Sequence, residues 1–241
     1  MLNVHSFESL GTYDGPGIRL VVFLQGCAFK CLYCANPDTI TFDGGTEVSN
    51  TEIMRKARNQ RPFFGKKGGV TFSGGEPLWQ AKDLSVLFQE LKDDGFNTCI
   101  DTNGNVFNDD VKNLLKNTDL VLLDIKHINP DWHKTITGKT NETTLKFAKY
   151  LKETNTPIWL RYVLVPGYSD QEDYMHEMGQ YFKDYSNIEK LEIQPYHKLG
   201  VHKYEHLGMK YELEGVPENS CEQLTRAEKI FSQYFKEVII N

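Results

Sequence analysis

The chain has 241 residues, of which 39% are hydrophobic and 25% are charged, a composition typical of a globular protein with one substantial core. A formal net charge of -6 gives it no general affinity for nucleic acid or for an anionic membrane. The sequence starts with polar and acidic residues instead of a signal peptide, and no run reaches the ~18 apolar residues of a membrane span. We therefore expect a cytoplasmic protein.

Short apolar segments rich in β-branched residues alternate with segments of helical periodicity along the chain. The predicted strands are Leu20–Leu24, Val70–Phe72, Thr98–Asp101, Leu120–Asp124, Ile158–Leu164 and Lys190–Gln194. Two capping patterns, Ser49–Glu52 and Ser220–Gln223, predict the starts of helices. This alternation predicts an α/β fold of parallel βαβ units in a single domain of residues 1–241, with functional groups at the carboxyl ends of the strands. Periodicity alone leaves open whether the sheet closes, half-closes or stays open and doubly wound.

A cluster of cysteines follows the first predicted strand. Three of the five cysteines form a C-x3-C-x2-C motif: Cys27, Cys31 and Cys34. An odd number of cysteines without a signal peptide argues against a disulfide framework. Thiolates suit iron–sulfur clusters or zinc, and a four-iron cluster with three local ligands keeps one iron open. The alternatives are zinc held by three thiolates and a histidine, and a thioredoxin-like dithiol that leaves Cys27 without a role. Cys99 and Cys221 are expected to be packing or surface residues.

Polar motifs also follow the later strands. Ser73–Pro77, with the sequence SGGEP, comes directly after the second predicted strand, and its two glycines allow a close approach of the backbone to a ligand. Asp101 and Asp124 end the third and fourth predicted strands. Two such carboxylates would repel each other without a nearby cation, which either Lys126 or a bound metal ion would supply. Solvated acids at the strand ends are the alternative.

These motifs carry a resemblance to a known family. The cysteine motif, with Tyr33 before its last cysteine, resembles the signature of the radical S-adenosylmethionine (SAM) superfamily, and Ser73–Pro77 resembles its GGEP motif. The resemblance implies a partial (β/α)6 barrel of the radical SAM type. It also implies a 4Fe-4S cluster as the catalytic centre, bound by Cys27, Cys31 and Cys34, and S-adenosylmethionine bound at the open iron. Such cofactors carry the difficult radical chemistry, and the protein places them.

A narrower likeness extends from Ser9–Arg19 to Pro195–Gly200, and by it the chain resembles the glycyl-radical-enzyme activases. Residues 35–73 lack the cysteine-rich insert of several such activases, which favours the type that acts on pyruvate formate-lyase. The resemblance implies that eleven residues contact S-adenosylmethionine: Tyr33, Cys34, Ala35, Gly74, Gly75, Glu76, Ile125, Lys126, His127, Arg161 and His197. Three more are implied to border the pocket as a candidate cation site: Asp101, Thr102 and Asp124. Ala35 stands where relatives often carry a polar residue or histidine, so only its backbone role is carried over.

The same resemblance implies an activity and partners. The enzyme would form a glycyl radical on pyruvate formate-lyase in anaerobic metabolism, with flavodoxin or ferredoxin as the electron donor. Two alternatives stay open: a radical enzyme that acts on a small molecule, and a zinc-stabilised interaction module. A neighbouring gene for a large glycyl-radical enzyme would favour the activase over a radical enzyme that acts on a small molecule. The colour of the anaerobic protein separates iron from zinc.

Overall fold

The computed structural model describes residues 1–241, which form two compact units. The first unit comprises Met1–Ala28 and Thr39–Leu122, and the second comprises Phe29–Asp38 and Leu123–Asn241. The single domain expected from the sequence stays a prediction. None of the helices combines the length and the apolar character that crossing a membrane requires.

The first unit is built on a sheet whose strands follow the order β3-β1-β2-β4-β5. Its elements are β1 Leu2–Gly11, β2 Arg19–Leu24, β3 Thr46–Val48, α1 Asn50–Phe64, β4 Gly69–Gly74, α2 Ala81–Asp93, β5 Asn97–Thr102 and α3 Asp109–Leu115. Strand β4 pairs in parallel with both β2 and β5, whereas β1 is antiparallel to β2 and β3. Parallel pairing brings the carboxyl ends of β2, β4 and β5 to one edge of the sheet.

The core of the first unit explains why these segments form regular structure. Strand β2 is an almost continuous apolar run, as expected of a parallel strand covered on both faces. One stripe of α2 is completely buried: Leu84, Leu87, Phe88 and Leu91. The predicted cap of α1 is also present, since the Ser49 side chain accepts a hydrogen bond from the backbone N–H of Glu52. These elements hold the loops that follow the strands.

The longer segment of the second unit begins within β6, Leu120–Asp124, whose last two residues belong to it. Its other elements are α4 Pro130–Thr137, α5 Glu142–Glu153, β7 Ile158–Leu164, α6 Glu172–Phe182, β8 Ile188–Pro195, α7 Val201–His206, α8 Cys221–Phe231 and β9 Val238–Ile240. Strand β8 pairs in parallel with β7 and β9. The capping box predicted at Ser220–Gln223 is complete and opens α8.

The α/β class and all six predicted strands are confirmed. Strands β3 and β9 are edge strands, so the sheet is not closed, in agreement with the partial barrel expected from the resemblance. Three strands lie outside the predicted set: β1, β3 and β9. Strand β1 escapes a periodicity search because its register to β2 shifts twice, and most of its residues are polar or half-exposed.

Candidate active site

Cys27 lies just beyond the carboxyl end of β2, in the first unit. Two backbone hydrogen bonds fix its loop: Gly26 N–H donates to the Thr39 carbonyl at 2.8 Å, and Cys27 N–H donates to the Ile40 carbonyl at 3.0 Å. Gly26 has a φ of +100°, a conformation that side chains disfavour. Cys27 is half-buried and outside any disulfide, so its thiol can serve as a ligand.

The glycines of the second motif end β4 in close contact with the rest of the protein. Gly75 N–H donates to the Leu24 carbonyl at 2.8 Å. A Cβ atom on Gly75 would lie only 2.5 Å from the Gly26 carbonyl oxygen, and one on Gly74 would collide with the backbone of Leu24. The sequence suggested that the glycines leave room for a ligand. The structure shows that the protein backbone itself needs this room, while contact of Gly74 and Gly75 with S-adenosylmethionine stays a prediction.

Glu76 is buried, with 1% of its surface exposed, and its carboxylate is bound within the protein. Oε1 accepts hydrogen bonds from Leu78 N–H at 2.9 Å and from Thr102 Oγ1 at 2.6 Å. Oε2 accepts from Asn103 N–H at 2.8 Å. Burial raises the pKa of Glu76 to about 7, because desolvation disfavours the charged form more than these bonds favour it. The Glu76 side chain therefore fixes the loop after β5, and its contact with S-adenosylmethionine stays a prediction.

Asp101 and Thr102, at the end of β5, are anchored by neighbouring residues. Asp101 Oδ2 accepts a hydrogen bond from Ser73 Oγ at 2.7 Å. Thr102 is buried, and its hydroxyl accepts from Gly104 N–H at 2.9 Å while it donates to Glu76. The cation binding proposed for Asp101, Thr102 and Asp124 stays a prediction.

Asn103, which directly follows Thr102, was not among the predicted site residues. The side-chain amide nitrogen of Asn103 lies 3.7 Å from Cys27 Sγ. Its position two residues after the predicted strand-end carboxylate Asp101 was the available signal.

Cys31 and Cys34 lie in the second unit, on a segment pinned to the end of α4. Lys30 N–H donates to the Thr137 carbonyl at 2.8 Å, and Leu32 N–H donates to the Ile136 carbonyl at 3.0 Å. Cys34 N–H in turn donates to the Cys31 carbonyl at 3.0 Å, which closes a tight turn between the two cysteines. Both thiols are half-buried and outside any disulfide.

A second feature missed from the sequence is a clamp formed by Gly200 and Tyr204, at the start of α7 and within it. Tyr204 Oη donates a hydrogen bond to the Cys34 carbonyl at 3.1 Å. Gly200 packs so tightly on Ala35 that a Cβ atom would lie 2.7 Å from its Cα. Burial raises the pKa of the Cys34 thiol. The clamp thus fixes the backbone of Cys34 and Ala35, two residues that the resemblance assigns to cofactor binding.

Tyr33, Asp124 and Lys126 form a buried polar group in the second unit. Lys126 Nζ lies 2.8 Å from Asp124 Oδ2 and 5.7 Å from the centroid of the Tyr33 ring. Burial is the largest single influence and lowers the pKa of Lys126, but the Asp124 carboxylate together with Tyr33 and Cys31 outweighs it, and the pKa lies well above its ordinary value. Lys126 therefore supplies a positive charge beside Asp124. It is one of the two sources of positive charge considered for the strand-end carboxylates, the other being a bound metal ion.

His127 packs among aromatic side chains. Its ring is buried between Trp132 and Tyr174, with centroids 6.0 and 4.9 Å away, and Nδ1 accepts a hydrogen bond from Asn129 N–H at 3.0 Å. Burial lowers the pKa of His127 to about 4, so the imidazole is neutral near pH 7. Contact of His127 with S-adenosylmethionine stays a prediction.

Arg161 is part of a buried ion network on β7 and β8. Its Nε lies 2.9 Å from Glu192 Oε2, and Lys190 Nζ lies 2.8 Å from Glu192 Oε1. The Arg161 carbonyl accepts a hydrogen bond from Ile125 N–H at 3.0 Å, which ties β7 to the residue after β6. His197, by contrast, is exposed just past β8, where its Nδ1 accepts from Leu199 N–H at 3.3 Å.

The donor chemistry of the motif fits an iron–sulfur cluster. All three of its cysteines are half-buried, none is in a disulfide, and their backbone is fixed by hydrogen bonds. Soft thiolates in this number leave one iron of a four-iron cluster without a protein ligand.

Comparison with known proteins gives a consistent result. Residues 21–178 match the model of the Radical SAM superfamily. The chain is 45% identical to pyruvate formate-lyase 1-activating enzyme of Escherichia coli K12 over 239 residues, which cover 98% of this chain and 97% of that protein. It is 49% identical to pyruvate formate-lyase-activating enzyme of Staphylococcus aureus USA300 over 222 residues, which cover 89% and 88%.

Solved structures share the fold. A domain of pyruvate-formate lyase-activating enzyme from Bacteroides vulgatus aligns with a TM-score of 0.61 at 23% identity and covers 72% of this chain and 99% of that one. A radical SAM methyltransferase from Sphaerobacter thermophilus aligns with a TM-score of 0.67 at 15% identity, over 100% of this chain and 77% of that one.

Proposed function

The chain belongs to the radical SAM superfamily and, within it, to the pyruvate formate-lyase-activating enzymes, and we propose that it converts a glycine of pyruvate formate-lyase into a glycyl radical. The reaction consumes S-adenosylmethionine and one electron and yields 5′-deoxyadenosine, methionine and the protein radical. The observation that carries this proposal is the likeness to the Escherichia coli enzyme along 98% of this chain and 97% of that one.

In this proposal Cys27, Cys31 and Cys34 hold the 4Fe-4S cluster. The cluster and S-adenosylmethionine supply reductive cleavage of a carbon–sulfur bond and removal of a hydrogen atom from carbon. The protein contributes local order to each part of the motif. In the first unit, hydrogen bonds fix the loop of Cys27 to the segment after residue 38. In the second unit, hydrogen bonds to α4 and from Tyr204 fix the segment of Cys31 and Cys34.

The S-adenosylmethionine contacts follow the resemblance and are supported by local chemistry. The backbone of Gly74 and Gly75 is closely packed, and carbonyl groups there can accept hydrogen bonds from the ammonium of the methionine moiety. Lys126 offers a positive charge beside Asp124, while the contacts of Ile125 and His127 follow the resemblance alone. A bound cation at Asp101, Thr102 and Asp124 belongs to the same proposal.

The partners and the location complete the proposal. A flavodoxin or ferredoxin would supply the electron, since the reaction needs a single low-potential electron and the chain has only one cluster motif. A cytoplasmic location suits five cysteines that form no disulfide.

Glycine is the expected target for two physical reasons. Its radical is stabilised when the amide groups on both sides delocalise the unpaired electron. Hydrogen transfer also requires the Cα atom within roughly 3–3.5 Å of the attacking carbon, which a side chain would obstruct.

The test uses the anaerobic, reconstituted enzyme with a short peptide that copies the radical loop of pyruvate formate-lyase. We expect the peptide to accelerate formation of 5′-deoxyadenosine, and deuterium at the glycine Cα to appear in that product. The matched control peptide carries L-alanine at the radical position and should lose most of the acceleration. If deuterium stays in the peptide while S-adenosylmethionine is cleaved, the substrate is not this glycine, and a small-molecule substrate becomes the better proposal.

A further inference from the structure

The side chain of Asn103 lies against the first cysteine of the motif, within the first unit. Its Nδ2 atom is 3.7 Å from Cys27 Sγ, within the range of a hydrogen bond to sulfur. Asn103 follows the last residue of β5 and is 7% exposed. The contact joins two loops that are 76 residues apart in the sequence.

The orientation of the Asn103 amide is set by a second hydrogen bond. Asn103 Oδ1 accepts from the backbone N–H of Asn105 at 3.0 Å. The oxygen end of the amide is therefore held by a donor, and the NH2 end is the one that faces the sulfur of Cys27.

The backbone around Asn103 is also fixed. Its N–H donates to Glu76 Oε2 at 2.8 Å, and the preceding Thr102 hydroxyl donates to Glu76 Oε1 at 2.6 Å. Thr102 Oγ1 also accepts from Gly104 N–H at 2.9 Å. Glu76 thus acts as a positioning residue that holds Asn103 where its amide meets Cys27.

We propose that Asn103 donates an N–H···S hydrogen bond to the Cys27 thiolate in the cluster-loaded protein and thereby raises the reduction potential of the cluster. Hydrogen bonds to the ligand sulfurs are one of the levers that set the potential of an iron–sulfur cluster. Reduction adds negative charge to the cluster and its sulfurs, so an N–H donor stabilises the reduced form more than the oxidised form. The bond makes the cluster easier to reduce by the electron donor.

This inference rests on the proposed function only in requiring that an iron–sulfur cluster is bound. The experiment compares the unaltered protein with Asn103→Ala, which removes the donor, and Asn103→Asp, which keeps the acceptor for Asn105. Asn105→Asp is the matched control, because it adds the same charge two residues away without touching the hydrogen bond to sulfur. Each protein is reconstituted anaerobically, analysed for iron and sulfide, and titrated by electron paramagnetic resonance without S-adenosylmethionine.

We expect full cluster content in all four proteins and a potential shifted to more negative values in both Asn103 variants. The equilibrium constant for reduction should fall about tenfold in Asn103→Ala, which is 59 mV for a one-electron couple. It should change less than about threefold in Asn105→Asp.

Two results would overturn the inference. One is an Asn103→Ala variant with full cluster content and the potential of the unaltered protein. The other is loss of the cluster from both Asn103 variants, which would make Asn103 a requirement for cluster binding instead of a determinant of potential. Failure of the proposed function would give a different result. If the unaltered protein leaves deuterium in the glycine peptide, the Asn103 variants could still differ from it in cluster potential.

Discussion

Glu76 should make the stability of the protein depend on pH in a direction opposite to that of a salt-bridged carboxylate. Burial raises its pKa to about 7, against an ordinary value of 4.5. Below pH 4.5 Glu76 is protonated in both the folded and the unfolded chain, and its contribution to stability is fully present. As the pH rises, the unfolded chain ionises first, so the free energy of unfolding falls until about pH 7 and then levels off.

The size of this effect follows from the two pKa values. At 1.36 kcal/mol for each pKa unit, the full contribution is about 3 kcal/mol, and about 2.5 kcal/mol of it is lost between pH 5 and pH 8. Glu76→Gln removes the titrating group. It also places an amide nitrogen opposite Asn103 N–H, in place of the Oε2 acceptor, at a pH-independent cost of about 1–3 kcal/mol.

The assay is urea unfolding of the cluster-free protein at several pH values between 5 and 8. The difference in unfolding free energy between the unaltered protein and Glu76→Gln should shrink by about 2.5 kcal/mol from pH 5 to pH 8. Glu142→Gln, a change of the same charge at an exposed site in the first turn of α5, controls for the loss of one negative charge. A difference for Glu76→Gln that stays constant across this range would refute the reasoning.

Two further predictions concern the cysteines and the buried ion network. Serine in place of any of the three motif cysteines should abolish cluster binding, while Cys99→Ala and Cys221→Ala should retain it; normal iron and sulfide in a motif variant would contradict the ligand assignment. Glu192→Gln removes one charged partner of the buried Arg161 guanidinium and should cost about 3–5 kcal/mol in urea unfolding. Glu189→Gln, at an exposed site, should cost less than about 1 kcal/mol, and equal losses would show that burial of the pair is unimportant.

Several features could be predicted from the sequence because they have local causes. Strands β6 and β7 were predicted with the observed bounds, since parallel strands buried on both faces read as apolar runs. The helix starts at Ser49 and Ser220 were predictable because a capping side chain bonds to a backbone group only two or three residues away.

Other features depend on contacts that the sequence does not reveal. A glycine pair has the same letters whether the space beside it holds a ligand or another stretch of backbone, and the distance from Gly75 to the Gly26 carbonyl was needed to see the latter. The bond from Tyr204 to Cys34 spans 170 residues and has no local signature.

That long separation has a consequence for how the protein is made. The clamp on the second half of the cysteine motif is encoded far downstream, so the motif leaves the ribosome well before Tyr204 does. At a synthesis rate of about 5–20 residues per second, 170 residues take roughly 10–30 s. During that interval the segment of Cys31 and Cys34 lacks the hydrogen bond that Tyr204 later supplies. Iron delivery after chain release would therefore meet a better-formed site than delivery during translation.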